Sequence, residues 1–431
     1  MKGYALALLI MLFLGCIGAQ QTKQENQVKP GLEVFLEKHL EMVKGKKVGL
    51  VTNPTGISSD LESSMELFFN NPNIELVALY GPEHGVRGNT QAGEHVPFYI
   101  DEKYGIPVFS LYGGTMKPHP EMFKSIDEYM RSFDTEQDGK VLEENMVEGV
   151  DMLIFDMQEV GTRIYTYIAT MAYCMQTCAE CGIEFIVLDR PNPINGVDVE
   201  GPLVEYPKYS SFVGLYPIPV RHGMTIGELA DLFNREFLDR KADLTVIPIE
   251  GWKREMWYDE TALPWVMPSP NMPTLGTAMV YPGQVFFEGT NVAEGRGTTR
   301  PFEIIGAPWI DGYELAKAFN NLKLPGVSFA EVWFTPTFSK YQGEQCGGVQ
   351  LHIKDRNAYR PFETALHIIR TIMGMYPNNF RFETEYFDKI MGSPDIRRAL
   401  EKGVHVDRIV QSYQKELESF MRVRENYLLY D

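Results

Sequence analysis

The segment GPEHGVRG, residues 81–88, places a carboxyl group and an imidazole side by side where a strongly apolar run ends. Glu83 and His84 follow the run IELVALY, which is typical of a buried strand, and a Gly-Pro pair that ends such a strand. Side chains at this point leave the core and face a cleft. Partial desolvation there would keep the Glu83 carboxyl protonated, so that it could donate a proton to a leaving group. His84 could orient that carboxyl or titrate beside it.

Polar side chains also follow three other apolar runs of the first half. Asn53 follows the first predicted strand, Asp156 follows the fourth, with Arg163 and Tyr165 just beyond it, and Arg190 follows the fifth. In open α/β sheets the ligand cleft lies outside the carboxyl ends of the strands. One such end is usually a turn or a helix cap, but four at the same edge favour a ligand site.

The segment from residue 268 to residue 309 is rich in Pro, Gly and aromatic residues and has little regular pattern. Long irregular segments inside a compact protein are commonly functional. The alternative is a surface loop whose Arg and Glu side chains pair with one another, which the aromatic and Pro content disfavours. The candidate site residues of this segment are Asn271, Glu288, Asn291, Glu294, Arg296 and Arg300.

The motifs that the sequence lacks disfavour several classes of enzyme. The sequence contains no G-x-S-x-G and no H-E-x-x-H, and the turn after the first strand lacks the G-x-G-x-x-G of a dinucleotide site. Glu83 and His84 would point to opposite sides of an extended segment, which disfavours a shared metal ion. A cleft rich in carboxylates, Asn and Arg suits glycoside cleavage, since one carboxyl group protonates the leaving oxygen and a second attacks or activates water. We expect neither a metal nor another cofactor.

The elements that position these residues follow from the hydrophobic pattern. Apolar runs alternate with helical patterns, which predicts a mostly parallel sheet covered on both faces by helices. Thr225 and Glu228 have the spacing of a capping box at the start of one helix. The predicted strands are 46–53, 74–84, 106–114, 150–158, 183–193 and 244–251, and the predicted helices are 60–71, 165–182 and 225–238.

The pattern changes after this alternation. The stretch 263–308 is predicted to be largely irregular, and it is followed by a helix at 312–322, strands at 327–338 and 347–355, and helices to the end. We therefore expect an α/β domain over residues 30–260 and a smaller α+β domain over residues 261–431.

The net charge of −18 at pH 7 restricts the partners. Nucleic acids and anionic membranes bind basic surfaces, so neither class of partner is expected. An anionic substrate would have to be held by local Arg or Lys side chains against the overall field.

The first residues have the pattern of an export signal. Lys2 precedes an apolar run, residues 4–19, that is too short to span a membrane and has the flanks of a secretory signal. The stretch FLGC resembles a bacterial lipobox, which would leave a lipidated Cys16, whereas cleavage after Ala19 would give a soluble exported protein. We expect residues 1–19 to be this signal and the protein to be periplasmic or a membrane-anchored lipoprotein.

Two other patterns resemble metal sites. Cys174, Cys178 and Cys181 have the C-x3-C-x2-C spacing of an iron–sulfur site, but they lie on one face of an apolar helical pattern, where small thiols usually belong to the core. Residues 134–139 resemble the start of a calcium-binding EF-hand loop, but Asn145 stands where a bidentate Glu is needed. We interpret the first pattern as core and the second as a surface turn.

An ordered series of motifs gives the sequence a specific family resemblance. The motifs are GPEHGVRG, FDMQEVGTRIYTY, LDRPNPING, RHGMTIGELA, PSPNMPT and FEGTNVAEGRGTTRPFEIIGAPWI. From about residue 30 to the C-terminus, the chain resembles the bacterial exo-β-N-acetylmuramidases, long catalogued only as a conserved domain of unknown function. The resemblance implies a Rossmann-like N-terminal domain and a second domain. It also implies release of N-acetylmuramic acid from the non-reducing end of peptidoglycan fragments, without a cofactor.

The resemblance also bears on individual residues. It implies that Glu83, the Glu of the family's G-P-E-H-G motif, is the catalytic acid, but it does not identify the second catalytic group, for which Glu288 is our candidate. N-acetylmuramic acid carries a lactyl carboxylate, which Arg can bind through two parallel hydrogen bonds. Arg296 and Arg300 are the first candidates for this contact, and Arg163 is the next.

Two other functions remain open. An exported two-domain α/β protein could bind muropeptides without catalysis, which needs no pair of carboxylates around a scissile bond. A metal-dependent amidase or esterase acting on cell-wall fragments would instead place Glu83 and His84 near a metal. Turnover of a chromogenic N-acetylmuraminide would exclude the first function, and loss of activity with a chelator would favour the second. Retention or inversion depends on the separation of the two carboxyl groups and is not decided by the sequence.

Overall fold

The computed structural model describes residues 28–91, 93–94, 96–126 and 149–431. The expected export signal, with Cys16, and the turn expected at residues 134–139 lie outside these ranges. Within them, no helix combines the length and the apolar character needed to cross a membrane.

The described residues of the first part of the chain form a seven-stranded sheet. Its strands are β1 Lys47–Thr52, β2 Glu75–Gly81, β3 Tyr99–Ile100, β4 Pro107–Ser110, β5 Met152–Asp156, β6 Glu184–Leu188 and β7 Leu244–Ile247. They lie in the order β3-β4-β2-β1-β5-β6-β7, and each pairs in parallel with its neighbours except β3, which is antiparallel to β4. All six predicted strands are confirmed. Strands such as β5 are buried along their whole length, as expected of a sheet covered on both faces.

Helices cover both faces of this sheet. Those of the described residues are α1 Gly31–Lys38, α2 Ser64–Phe69, α3 Glu121–Lys124, α4 Tyr167–Cys181 and α5 Ile226–Glu236. The predicted capping box starts α5, because Thr225 Oγ1 accepts a hydrogen bond from the Glu228 N–H and the Glu228 carboxylate accepts one from the Thr225 N–H. The predicted helices at 60–71, 165–182 and 225–238 are confirmed as α2, α4 and α5.

The strand order fixes where a ligand can bind. From β1 the chain first builds one side of the sheet with β2 and β4, and it then crosses back to place β5 on the other side of β1. Connections that leave in opposite directions open a crevice at the carboxyl ends of such strands. The switch point lies between β1 and β5, and the end of β2, with Glu83 just beyond it, lies at the same carboxyl edge one strand away.

The second part of the chain packs a small sheet and six helices against the first. The strands β8 Ile304–Ala307, β9 Val327–Phe334 and β10 Cys346–Ile353 form an antiparallel sheet in the order β8-β10-β9. The helices are α6 Leu275–Gln284, α7 Gly312–Asn321, α8 Pro361–Met375, α9 Thr384–Met391, α10 Asp395–Glu401 and α11 Val406–Arg424. One continuous cluster of buried apolar side chains contains both Phe155 of β5 and Val349 of β10, so the two sheets share a core.

The stretch 263–308 is more regular than its sequence predicts. It contains helix α6, which includes Pro282, and strand β8. Pro lacks the N–H that an internal helical residue donates, and this disfavours a helix from sequence alone. Packing overrides this preference, because Gly283 lets α6 lie directly against α8: a Cβ on Gly283 would come within 2.1 Å of the Pro361 carbonyl oxygen. The predicted boundary at residue 260 stays a prediction.

A buried guanidinium joins the second part of the chain to the first. Arg163, in the loop after β5, is 1% exposed. It donates hydrogen bonds to the carbonyl oxygens of Pro202 (2.8 Å) and Ile218 (3.1 Å), and to those of Ile390 (2.9 Å) and Met391 (3.0 Å) at the end of α9. Burial lowers the pKa of Arg163 to about 9. The last carbonyls of a helix lack partners within the helix and favour a nearby cation, so Arg163 fixes the position of α9.

We predict that Arg163→Met lowers the free energy of unfolding by about 3 kcal/mol or more, because it leaves four buried carbonyl oxygens without a donor. Urea unfolding followed by circular dichroism measures the change. Arg408→Met is the matched control, since Arg408 lies on the exposed side of α11 and should change stability by about 0.5 kcal/mol or less. Equal stabilities of the two variants would contradict this role of Arg163.

The cysteine pattern lies on helix α4. Cys174 and Cys178 are fully buried, Cys181 is partly exposed, and all three are free thiols. Burial raises the pKa of each of the three thiols, which disfavours the thiolate that a metal needs. The interpretation of these residues as core therefore agrees with their surroundings.

We predict that the purified protein holds no stoichiometric iron or zinc on these thiols. In the native state a thiol reagent should modify Cys181 faster than Cys174 and Cys178, which should react only on unfolding. Elemental analysis of the wild-type protein and of Cys178→Ala tests whether these thiols hold a metal. About one equivalent of metal that disappears in the variant would contradict the prediction.

Candidate active site

A cleft opens at the carboxyl edge of the large sheet, where the C-terminal helices approach it. It has an inner cavity of about 250 Å³ and an outer region of about 620 Å³. The residues shared by the linings of both are Glu83, Tyr112, Glu288, Arg296 and Tyr386. Side chains from both parts of the chain therefore meet in one cleft.

Glu83 lies in the turn that follows β2 and is half-buried. Its Oε2 accepts a hydrogen bond from Thr166 Oγ1 at 3.0 Å, and its Oε1 accepts one from the Gly93 N–H at 3.2 Å. Thr166 immediately precedes helix α4. The carboxyl group is thus held from two sides at the wall of the inner cavity.

The backbone at His84 differs from the extended segment expected from the sequence. The segment is a tight turn and not extended, because His84 has a φ of 76° and Gly85 one of 73°. Glu83 and His84 therefore line the same cavity instead of pointing to opposite sides. Burial lowers the pKa of His84, against the nearby charge of Glu83. His84 Nδ1 lies 2.7 Å from the Thr90 carbonyl oxygen, so the neutral ring donates its proton there.

Glu288 faces the cleft from a short 3₁₀ turn, Val285–Gly289, that continues α6. Its Oε1 accepts hydrogen bonds from Arg296, with distances of 2.6 Å to a terminal nitrogen and 3.2 Å to Nε. Its Oε2 accepts a hydrogen bond from the Tyr386 hydroxyl at 3.1 Å. Burial, and next the charge of Glu288, raise the pKa of Tyr386. Both oxygens of Glu288 are thereby oriented.

Arg296 lies between two carboxylates. Besides Glu288, its Nε is 3.5 Å from Glu294 Oε1, and its guanidinium lies 5.1 Å from the centre of the Phe302 ring. Burial lowers the pKa of Arg296, but the charges of Glu288 and Glu294 outweigh burial and raise it. This guanidinium is already engaged, so it does not offer the free fork expected for a substrate carboxylate.

Tyr165 and Asn271 line the inner cavity, as expected of residues that contact substrate. Asn271 is 7% exposed, and its Nδ2 has no hydrogen-bond partner among the described residues. Buried donors are nearly always paired, so this amide is available for a ligand in the cavity.

Three predicted site residues lie beneath the cleft and not in its lining. Asn53 Oδ1 accepts hydrogen bonds from the N–H and hydroxyl of Thr55, and Arg190 pairs with Asp156 at 2.7 Å. Asn53, Asp156 and Arg190 are almost fully buried. The segment around Pro268 covers this edge, since its carbonyl oxygen accepts from Asn53 Nδ2 at 3.4 Å. These side chains hold the strand ends in place instead of contacting substrate.

Arg163, Asn291 and Arg300 are not brought into the cleft either. Arg163 is the buried link to α9 described above. The Asn291 side chain donates to the Asn379 carbonyl and accepts from the Arg381 N–H, each at 2.8 Å. Arg300 pairs with Glu303 at 2.9 Å and lines a separate cavity beside β10. The chain turns between Arg296 and Arg300, since Gly295 and Gly297 have positive φ and the Thr298 N–H donates to the Gly295 carbonyl, and the two arginines lie at different surfaces.

Several residues of the cleft are not among those predicted from the sequence. Tyr386 and Lys389 of α9 line the inner cavity, and Lys340 lines the outer region. Residues three apart on a helix share a face, so the spacing could have grouped Tyr386 with Lys389. Nothing in the local sequence indicates that this face meets the end of β2.

The described residues contain one group of three side chains arranged to hold a metal ion, formed by Glu363, His367 and Asp407. These residues line neither part of the cleft. Glu83 and His84 are not part of such a group within the described ranges.

Comparisons with known proteins agree with this architecture. The model for the C-terminal part of exo-beta-N-acetylmuramidase NamZ matches residues 279–430, and the model for its N-terminal part matches residues 48–136 and 132–276. The peptidoglycan beta-N-acetylmuramidase NamZ of Bacillus subtilis (strain 168) is 51% identical over 411 residues, which are 95% of this chain and 93% of that protein.

Solved structures of two DUF1343 family proteins from Bacteroides fragilis NCTC 9343 share the fold. One has a TM-score of 0.83 at 36% identity and covers 94% of this chain and 100% of its own. The other has a TM-score of 0.72 at 31% identity, and the match covers 94% of this chain and 99% of that chain. With family models matching both parts of the chain and a relative 51% identical over nearly its whole length, this protein belongs to the exo-beta-N-acetylmuramidase NamZ family.

Proposed function

We propose that this protein is a glycoside hydrolase that releases N-acetylmuramic acid from the non-reducing end of peptidoglycan fragments. The observation that carries the proposal is that Glu83 and Glu288, which come from different parts of the chain, line one cavity at the carboxyl edge of the sheet. The relative that is 51% identical is a peptidoglycan beta-N-acetylmuramidase, which supports the same substrate. Glycoside cleavage uses two carboxyl groups placed around one bond.

Glu83 is the proposed general acid. It transfers its proton to the glycosidic oxygen while the bond from that oxygen to the anomeric carbon breaks. The Gly93 N–H holds one carboxyl oxygen, and the Thr166 hydroxyl, which can donate or accept, holds the other in either protonation state. The neutral His84 fixes the turn through its bond to the Thr90 carbonyl and so orients Glu83.

Glu288 is the proposed second group. Positive charge develops at the anomeric carbon as the bond breaks, and a fixed carboxylate stabilises it. Arg296 and the Tyr386 hydroxyl hold the two oxygens of Glu288 before substrate binds, so little reorganisation is needed during the reaction. Glu288 then either attacks the anomeric carbon or activates a water molecule.

The shape of the cleft supports an exo mode of attack. The inner cavity of about 250 Å³ has room for a single substituted sugar, and the unpaired amide of Asn271 could bind its acetamido group. The outer region of about 620 Å³ would hold the rest of the glycan as leaving group. Cleavage would then remove one sugar at a time from the chain end.

The expected location is compatible with this substrate. Peptidoglycan lies outside the cytoplasmic membrane, and an export signal at residues 1–19, with or without lipidation at Cys16, would bring the enzyme to it. Localisation and lipidation therefore stay part of the proposal.

Replacing Glu83 tests the proton donor. Glu83→Gln keeps the shape of the side chain but cannot protonate the leaving oxygen, so kcat on a natural disaccharide should fall about 10²- to 10⁴-fold. The loss should be smaller for 4-nitrophenyl N-acetylmuraminide, because nitrophenolate leaves without protonation. Steady-state kinetics on both substrates measures the two effects, and circular dichroism verifies folding.

Glu75→Gln is the matched control, because Glu75 is exposed at the opposite end of the same strand and should leave both rates unchanged. His84→Asn, whose Asn tolerates the left-handed backbone, should cost less than Glu83→Gln. Near-normal turnover of the disaccharide by Glu83→Gln would make Glu83 a structural residue. A wild-type protein that binds the muraminide without turnover would favour a binding protein.

Glu288→Gln should give a different pattern. Its charge acts at the anomeric carbon whatever group leaves, so the disaccharide and the nitrophenyl glycoside should both slow by a similar factor of about 10² to 10³. A variant that spares the nitrophenyl substrate would contradict the assignment. Proton NMR of the first product formed by the wild type then shows whether Glu288 attacks, with retention, or activates water, with inversion.

A further inference from the structure

The cleft is acidic although its proposed substrate is an anion. Among the described residues, four carboxylates line its two parts, and three cationic side chains accompany them. The carboxylates belong to Glu83, Glu94, Glu288 and Glu294, and the cations to Arg296, Lys340 and Lys389. Binding a further negative charge requires a cation that these carboxylates have not already paired.

Two of the three cations are engaged. Arg296 bonds Glu288 at 2.6 Å and lies 3.5 Å from Glu294. Lys340 Nζ lies 2.9 Å from Glu294 Oε2 and also donates to the carbonyl oxygens of Phe287 (2.6 Å) and Val292 (3.2 Å). Pulling either cation toward a substrate would leave a buried carboxylate without its partner, which is costly.

Lys389 is different. It lines the inner cavity, its side chain is exposed, and it forms no hydrogen bond or ion pair with any other described residue. It lies one helical turn after Tyr386, and since residues three apart share a helix face, both side chains are directed toward the cavity. Its ammonium is therefore free to take an anionic group of the ligand.

The helix that carries Lys389 is firmly held. Arg163 donates to the carbonyl oxygens of Ile390 and Met391, the two residues that follow Lys389. The preceding residue, Asp388, is turned away from the cavity and forms a paired contact with Arg397, each N···O distance being 2.8 Å. The cation thus starts from a fixed backbone, and only its own side chain has to be ordered on binding.

We propose that Lys389 binds the lactyl carboxylate of N-acetylmuramic acid and thereby selects this sugar over uncharged N-acetylhexosamines. This inference rests on the proposed function and replaces Arg296 and Arg300 in that role. Lys389 supplies a point charge from the wall of the inner cavity, while Glu83 acts at the glycosidic oxygen and Glu288 at the anomeric carbon. A charge-assisted hydrogen bond of this kind is worth about 10- to 100-fold in affinity.

The test compares two substrates that differ only in this charge, 4-nitrophenyl N-acetylmuraminide and its lactyl amide. For Lys389→Met, the ratio of kcat/KM for the acid to that for the amide should fall about 10- to 100-fold below the wild-type ratio, mainly through KM for the acid. Lys389→Arg should keep most of the ratio. Lys402→Met, which removes an exposed lysine after α10, is the matched control and should keep all of it.

Calorimetric binding of free N-acetylmuramic acid and its amide gives the same comparison without turnover. The loss of acid-over-amide preference in Lys389→Met, in kinetics or in binding, supports the inference. An unchanged preference overturns it while leaving the proposed function intact. If the wild type hydrolyses neither substrate, the proposed function fails, and the binding comparison still decides the role of Lys389.

Discussion

The active-site cleft depends on one loop that makes two contacts. In the loop after β5, Arg163 donates to the last carbonyls of α9, and Thr166, three residues later, donates to Glu83. The same short segment therefore sets the position of the proposed acid on the large sheet and of the helix that brings Tyr386 and Lys389 to it. The buried Arg163 guanidinium has lost its hydration, and the carbonyl oxygens that it contacts replace the hydrogen bonds to water. Because an unpaired buried charge is costly, Arg163 keeps its position only while all these carbonyls keep theirs.

The fold was predictable because it depends on periodic patterns. Fully apolar runs of about five residues alternating with helical patterns indicate a parallel sheet, and the Thr225–Glu228 spacing marks a helix start without any tertiary information. The position of Glu83 follows from the same logic, since a residue after a buried strand must emerge at the carboxyl edge. Helix α6 was not predictable, because the packing of Gly283 against Pro361, and not local preference, overcomes Pro282.

The partners of charged residues were not predictable in the same way. The sequence supplies Arg163, Arg190, Arg296 and Arg300 as residue types near the strand ends and in the linking segment, but a guanidinium on its long, flexible side chain can turn in several directions. Only the folded chain shows the partner of each guanidinium. Backbone carbonyls hold Arg163, Asp156 holds Arg190, Glu288 holds Arg296, and Glu303 holds Arg300. Residue type at a strand end therefore predicts that a side chain is constrained, but not whether its constraint is structural or functional.

The division of cations in the cleft follows from what each carboxylate must do. A carboxylate that faces developing positive charge, the role proposed for Glu288, has to be fixed before the reaction, and Arg296 holds Glu288 through two N–H groups in the rigid plane of its guanidinium. Because Arg296 is bonded to Glu288, it is not available to bind the ligand. Lys340 is not available either, because it is bonded to Glu294. The proposed selection of an anionic sugar then requires a cation outside this network. Lys389, on a separately anchored helix and without a polar partner among the described residues, can contact an anionic ligand without disturbing Glu83 and Glu288, the carboxylates proposed to act on the glycosidic bond.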